Sequence, residues 1–164
     1  MTVQEIAFVI IAAIGSLAAI RLVTSRNVVH AALYLVVTLA MVGAVYLLVA
    51  AEFVAWVQVL IYVGAIVVLL LFSLMLTRAP IGRDALDNQE RTLAAIVGAG
   101  ILAGLGYLIQ STFGGKQVEL QVVHARDVGV ALFRDFVLPF EVVSVLLLAA
   151  LVGAVVIARK DDAP

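Results

Sequence analysis

Between Glu52 and Arg78 the chain runs through 25 residues, Phe53 to Thr77, without a single charge. A charge-free apolar run of about 20 residues is long enough to cross a bilayer as a helix. Gln58, Tyr62 and Gly64 interrupt the middle of this one, and a lipid anchor would need none of them. A polar side chain in the hydrocarbon region has to find a protein partner. A mid-span Gly weakens the helix unless close packing or a local irregularity uses it. The segment is therefore built to sit among other helices, as part of a larger assembly.

The rest of the chain has the same character. Hydrophobic residues make up 65% and charged residues 13%, against about 45–50% and about 25% in soluble domains, and the mean hydropathy is +1.23. An integral membrane protein is the class that fits. The net charge of −1 gives no reason to expect a nucleic-acid partner. There is no Cys, which excludes a disulfide framework, thiol catalysis and a cysteine-ligated iron–sulfur cluster. A secretory leader carries positive charge ahead of its apolar run. Here Glu5 precedes the run and Arg21 follows it, so the first span is expected to be retained.

Charges and turn residues predict five spans, at about 3–23, 28–51, 53–77, 92–110 and 139–158. The runs are continuous rather than alternating with period two, which favours helices over a β-barrel. The expected fold is a single all-α membrane domain over residues 1–164. Lys and Arg set the orientation. Arg21, Arg26, Arg78, Arg83, Arg91, Arg159 and Lys160 fall on one side, and only Lys116, Arg126 and Arg134 on the other. The richer side should be cytoplasmic, with the N-terminus outside and the C-terminus inside. Arg78–Arg91 reads as a solvated turn. The outer segment 111–138 opens at Gly114-Gly115, holds a possible extended piece at Val118–Val123, and then repeats Val128, Leu132, Phe133, Phe136 and Val137 at helical spacing. That spacing suits an interfacial amphipathic helix. No internal repeat is visible, which argues against an inverted-repeat transporter.

Pumps and antiporters place ionisable groups inside the membrane. No Lys or Arg lies inside the apolar run of any predicted span (Arg21 follows the run of the first), and no acid lies near the middle of one, so this chain alone lacks a proton relay. Glu52 and Glu141 lie at predicted outer ends. Each reads either as a proton-path acid or, more ordinarily, as a first-turn acid favoured by the helix dipole. For Glu141 the preceding Pro139 supplies the helix start. Gln58 and Tyr62, four apart, are expected on one helix face, as a polar seam or as an ordinary inter-helix hydrogen bond. Gly64 is a candidate mark of a π-bulge. His30 and His124 are far apart in sequence and suggest no metal site. Gly100 and Gly104 form a GxxxG pair that supports close helix packing.

Two segments together carry a resemblance. Gln58-Val59-Leu60-Ile61-Tyr62-Val63-Gly64-Ala65-Ile66-Val67-Val68-Leu69 resembles the third-helix signature of subunit J of bacterial NADH-quinone oxidoreductase, the respiratory complex I, whose mitochondrial counterpart is subunit 6. Leu138-Pro139-Phe140-Glu141-Val142-Val143-Ser144-Val145-Leu146-Leu147-Leu148-Ala149-Ala150 resembles that family's last helix. The resemblance implies a non-redox subunit of the membrane arm, in the bacterial plasma membrane. It would lie beside subunits A, H and K and the antiporter-like subunits, and lipid. No cofactor would bind this chain; FMN and iron–sulfur clusters would sit elsewhere in the complex, which uses NADH and quinone. It further implies that the third helix, around Tyr62, Gly64, Val67 and Val68, interconverts between regular helix and π-bulge to couple quinone reduction to proton pumping. Glu52 resembles an acid near the outer start of that helix. A further acid that some members carry in the third helix has no counterpart here. The competing reading is an accessory subunit of a multisubunit cation/proton antiporter, whose small members are similarly apolar; a stand-alone channel would need the midplane charge that this chain lacks.

Overall fold

The computed structural model describes residues 2–76, 91–115 and 122–159, and all regular structure among them is helical. The solvated turn expected at Arg78–Arg91 and the extended piece expected at Val118–Val123 lie mostly outside the described residues. Two compact units divide the chain, Met1–Gln121 and Val122–Pro164.

The first unit begins with a hairpin. Helix α1 (Val3–Thr24) starts at a capping box: the Thr2 N–H donates to Glu5 Oε2 at 2.9 Å, and the Glu5 N–H donates to Thr2 Oγ1 at 3.3 Å. Two of the helix's orphan donors are satisfied in this way. Helix α2 (Val28–Leu48) starts at Asn27, whose Oδ1 accepts from the Val29 and His30 N–H groups. The two helices pack closely because small residues line their seam. A Cβ on Gly15 would stand 3.1 Å from Met41 Cβ, and Ala18 and Ala32 are buried. At the open end Gln4 Nε2 donates to the Leu48 carbonyl at 2.8 Å, satisfying one acceptor that the helix terminus leaves without a partner.

The second span was expected to reach residue 51, but the helix ends at Leu48. Ala50 adopts a left-handed φ of 59°. Its N–H bonds Leu47 O, and the Ala51 N–H bonds Tyr46 O, the Schellman pattern of a helix stop. Ala usually avoids this conformation at a cost of roughly 1–2 kcal/mol. The sharp turn delivers the chain into a third span, Glu52–Leu76. It consists of α3 (Glu52–Val57), a π-helical segment (Gln58–Ile66) and α4 (Val67–Leu76), all packed on α2. Helix α5 (Arg91–Phe113) follows and outruns its expected end at 110. It stops at Gly114-Gly115, where a Cβ on Gly114 would collide with the Gln110 carbonyl and Gly115 has a φ of +81°. Among the described residues no other helix packs on α5. Gly98, Gly100, Gly104 and Gly106 have nothing near them, so the GxxxG pair makes no contact within the described chain.

In the second unit, α6 (Ala125–Arg134) begins at His124, whose N–H donates to Asp127 Oδ2 at 3.3 Å. Its sequence is strongly amphipathic, and Phe133 meets Phe140 edge-to-face, with ring centroids 4.9 Å apart. Helix α7 (Val137–Ala158) starts two residues before Pro139. Pro is tolerated there because the first four N–H groups of a helix have no intrahelical partner. The first-turn placement expected for Glu141 is therefore corrected: no acid lies in the first turn of α7, and Glu141 falls in its second.

Five helices of the described chain are long and apolar enough to span a membrane. Their outward surfaces are apolar, as at Leu69, Leu102 and Ile157, 68%, 75% and 86% exposed. Patches of this extent are untenable in water and call for lipid or neighbouring subunits around them.

Candidate functional site

The candidate site is the irregular centre of the third span. Its covered side chains are Ala55, Gln58, Val63, Val67, Leu71 and Leu74, with Val57 at the flank. The steps between them are three, five, four, four and three. Steps of three and four belong to an α-helix. The single step of five, from Gln58 to Val63, is the extra residue that a π turn accommodates. In keeping with it, the Val67 N–H donates to the Tyr62 carbonyl, five residues back. The π segment thus offsets the packing register of α4 by one residue relative to α3.

This corrects the expectation that Gln58 and Tyr62 share a face. Gln58 is buried at 8% exposure, whereas Tyr62 is 45% exposed; the expectation assumed α-helical periodicity across a segment that does not keep it. Gln58 Nε2 donates to the Leu39 carbonyl on α2 at 3.4 Å, a long hydrogen bond. Beneath it, Gly43 of α2 leaves room. A Cβ there would lie 3.5 Å from Gln58 Cγ and 3.4 Å from Val59 Cγ2. The sequence reading missed Leu39 and Gly43 as partners; the lone Gly of the second span was the available signal.

The other named residues fall as follows. Val67, 1% exposed, is the largest fully buried side chain among the described residues. Val68 is 58% exposed. Gly64 is exposed, and a Cβ there would meet only the Val59 carbonyl, at 3.5 Å. Tyr62 and Val67 are joined through the backbone bond that defines the π turn. Glu52 is the exposed first residue of α3, at the far end of the span from α4. Glu141 belongs to the other unit and is exposed. The described residues contain no group of three or more His, Asp or Glu placed to hold a metal. With no Cys in the sequence, an iron–sulfur cluster has no thiolate ligand here.

Comparison with known proteins decides the family. The family described as NADH-ubiquinone/plastoquinone oxidoreductase chain 6 matches residues 18–157. The chain belongs to this family. The NAD(P)H-quinone oxidoreductase chain 6 of Leptolyngbya boryana is 40% identical over 99% of this chain and 83% of its own length. That of Synechocystis sp. is 37% identical over 99% and 84%. The chloroplastic NAD(P)H-quinone oxidoreductase subunit 6 of Staurastrum punctulatum is 37% identical over 84% and 81%. As a chain 6 family member the protein is similar to subunits of a multisubunit oxidoreductase. The resemblance read from the third and last helices holds, and the antiporter-accessory reading gives way to it.

Proposed function

We propose that this chain is a non-redox membrane-arm subunit of a proton-translocating NAD(P)H:quinone oxidoreductase and that its third span is a coupling switch. Family membership supports the first part. The five-residue step between Gln58 and Val63 carries the second.

The physical basis of the switch is the register offset. If the π segment rewound to α-helix with Gln58 held on α2, every residue beyond it would turn by about 100° and move by about 1.5 Å. Tyr62 would replace Val63 on the covered face, Ile66 would replace Val67, Leu70 would replace Leu71, and Ser73 would replace Leu74. Two of these exchanges trade apolar for apolar, so most burial is kept. The other two bring a phenol and a hydroxyl inward, where water or a neighbouring polar group can pair with them. Two states separated by a few kcal/mol, each favoured by different neighbours, make a switch. Tyr62, Gly64, Val67 and Val68 are its working residues in this reading, and Gln58 on Leu39 is the fixed point. Glu52 acts as a helix-start acid or along the proton path, and Glu141, in the second turn of α7, acts along the proton path. The chain lies in the bacterial plasma membrane, N-terminus outside, beside subunits A, H, K and the antiporter-like subunits, and the FMN and iron–sulfur centres belong to other subunits.

Purification through a C-terminal tag in mild detergent tests the assignment. A large assembly with flavin and iron–sulfur absorbance and inhibitor-sensitive NAD(P)H:quinone activity is expected. A small colourless particle lacking that activity would reject it.

A further inference from the structure

The loop end of the α1–α2 hairpin holds a notch that the coupling switch does not use. It is lined by Arg21, Thr24, Ser25, His30 and Tyr34 and encloses about 240 Å³. Two of its hydroxyls are occupied: Thr24 Oγ1 donates to Ile20 O at 2.7 Å and Ser25 Oγ to Asn27 O at 3.0 Å. The Arg21 guanidinium, the His30 imidazole and the Tyr34 hydroxyl make no hydrogen bond or ion pair within the described residues, and they line the notch from two helices. Within the hairpin itself the charge is one-sided. Between Glu5 and Glu52 the only charged residues are Arg21 and Arg26, both at this end of the hairpin. Directly along the helices from the notch, Leu17, Ile20 and Leu33 are 64%, 59% and 50% exposed.

We infer that this notch binds the phosphate of an anionic phospholipid headgroup, with the acyl chains lying along the exposed apolar flanks. A guanidinium pairs with phosphate oxygens through two parallel N–H donors, and His and Tyr add single donors from α2. Basic pockets between transmembrane helices are suited to anionic lipid headgroups. The membrane-spanning setting and the apolar flanks favour a lipid phosphodiester over free phosphate, because only the lipid covers both surfaces. The site is separate from the π segment, so its failure and that of the coupling reading can be told apart.

The test uses the intact membrane assembly, exposed to diazirine-bearing phosphatidylglycerol or phosphatidylcholine and photolysed. The anionic probe should label peptides around residues 17–37 more strongly than the zwitterionic one. Arg21→Gln should lower that labelling about fivefold, from the loss of one cation beside an anionic surface. Arg21→Lys should retain most of it. Recovery of the assembly by the C-terminal tag controls for folding. Equal labelling by both probes, or labelling unchanged in Arg21→Gln, would overturn the inference. Loss of labelling on adding inorganic phosphate alone would show a free-anion site and overturn the lipid assignment. A carbodiimide cross-link from the R21K side chain to a carboxylate of this chain or a partner would show that a protein acid fills the notch, and would overturn it as well.

Discussion

Deleting one residue from the π segment should convert the third span to continuous α-helix without unseating either end. Leu60 is the residue to remove, because at 67% exposure it contributes little packing inside the chain. Its loss shortens the step from Gln58 to Val63 from five to four, which is α-helical spacing. Ala55, Gln58, Val63, Val67, Leu71 and Leu74 then all stay on the face that meets α2, within the width of an ordinary apolar stripe. The expected stability change is modest, about 1 kcal/mol, the centre of the range for single changes that open no cavity. The same deletion made in α4, at Leu69, should do the opposite. It would rotate everything beyond Val68 by about 100°, placing Phe72 and Met75 where Leu71 and Leu74 pack. That change moves large side chains into a close-packed seam, an overpacking cost of about 1–3 kcal/mol. Native gels report assembly, spectrophotometry reports NAD(P)H:quinone turnover, and a pH-sensitive dye in sealed vesicles reports proton translocation. The Leu60 deletion should assemble and lose most proton translocation, whereas the Leu69 deletion should assemble poorly. Normal pumping by an assembled Leu60-deletion complex would refute the argument that the extra residue of the π turn serves coupling.

Gln58→Met should keep the packing over Gly43 and lose the bond to Leu39, costing about 0.6 kcal/mol, while Gln58→Ala should cost about 2 kcal/mol or more by opening a cavity; thermal dissociation of the assembly would distinguish them. Gly15→Leu should force α1 from α2, because even a Cβ meets Met41 at 3.1 Å, and reduced recovery of the tagged assembly is the readout. Ala50→Gly should raise stability by about 1 kcal/mol by relieving the left-handed strain at φ 59°, seen as a higher dissociation temperature. Phe133→Ala should loosen α6 from α7 by losing an edge-to-face pair worth about 0.5–1.5 kcal/mol beyond its buried area, measured as faster proteolysis around residues 125–136.

What the sequence made legible follows from what hydropathy reports. Hydropathy gives the existence of each span, because every one is a continuous apolar run, and the five helices match the five runs. It carries no information about where an apolar helix stops among apolar residues. Val49, Ala50 and Ala51 look like more helix, yet the backbone at Ala50 turns left-handed. Pro139 looks like a start because Pro favours the first helical position, yet any position in the first turn leaves its missing N–H harmless. The centre of the third span was legible in composition, with Gly64 a candidate mark of a π-bulge, but its packing register was not. Gln58, Tyr62 and Gly64 marked it as unusual, and the choice between α and π period is what decides whether Tyr62 or Val63 faces α2. A single inserted residue leaves no trace in composition.

Electron cryo-microscopy of the assembled complex, at rest and during turnover, tests the central claim most directly. The account predicts a π state in which the Val67 N–H bonds Tyr62 O and Val67 is covered. It also predicts a second population in which that N–H bonds Val63 O and Ile66 faces α2, its share changing with turnover. A third span that keeps the π register in every particle class under both conditions would contradict it.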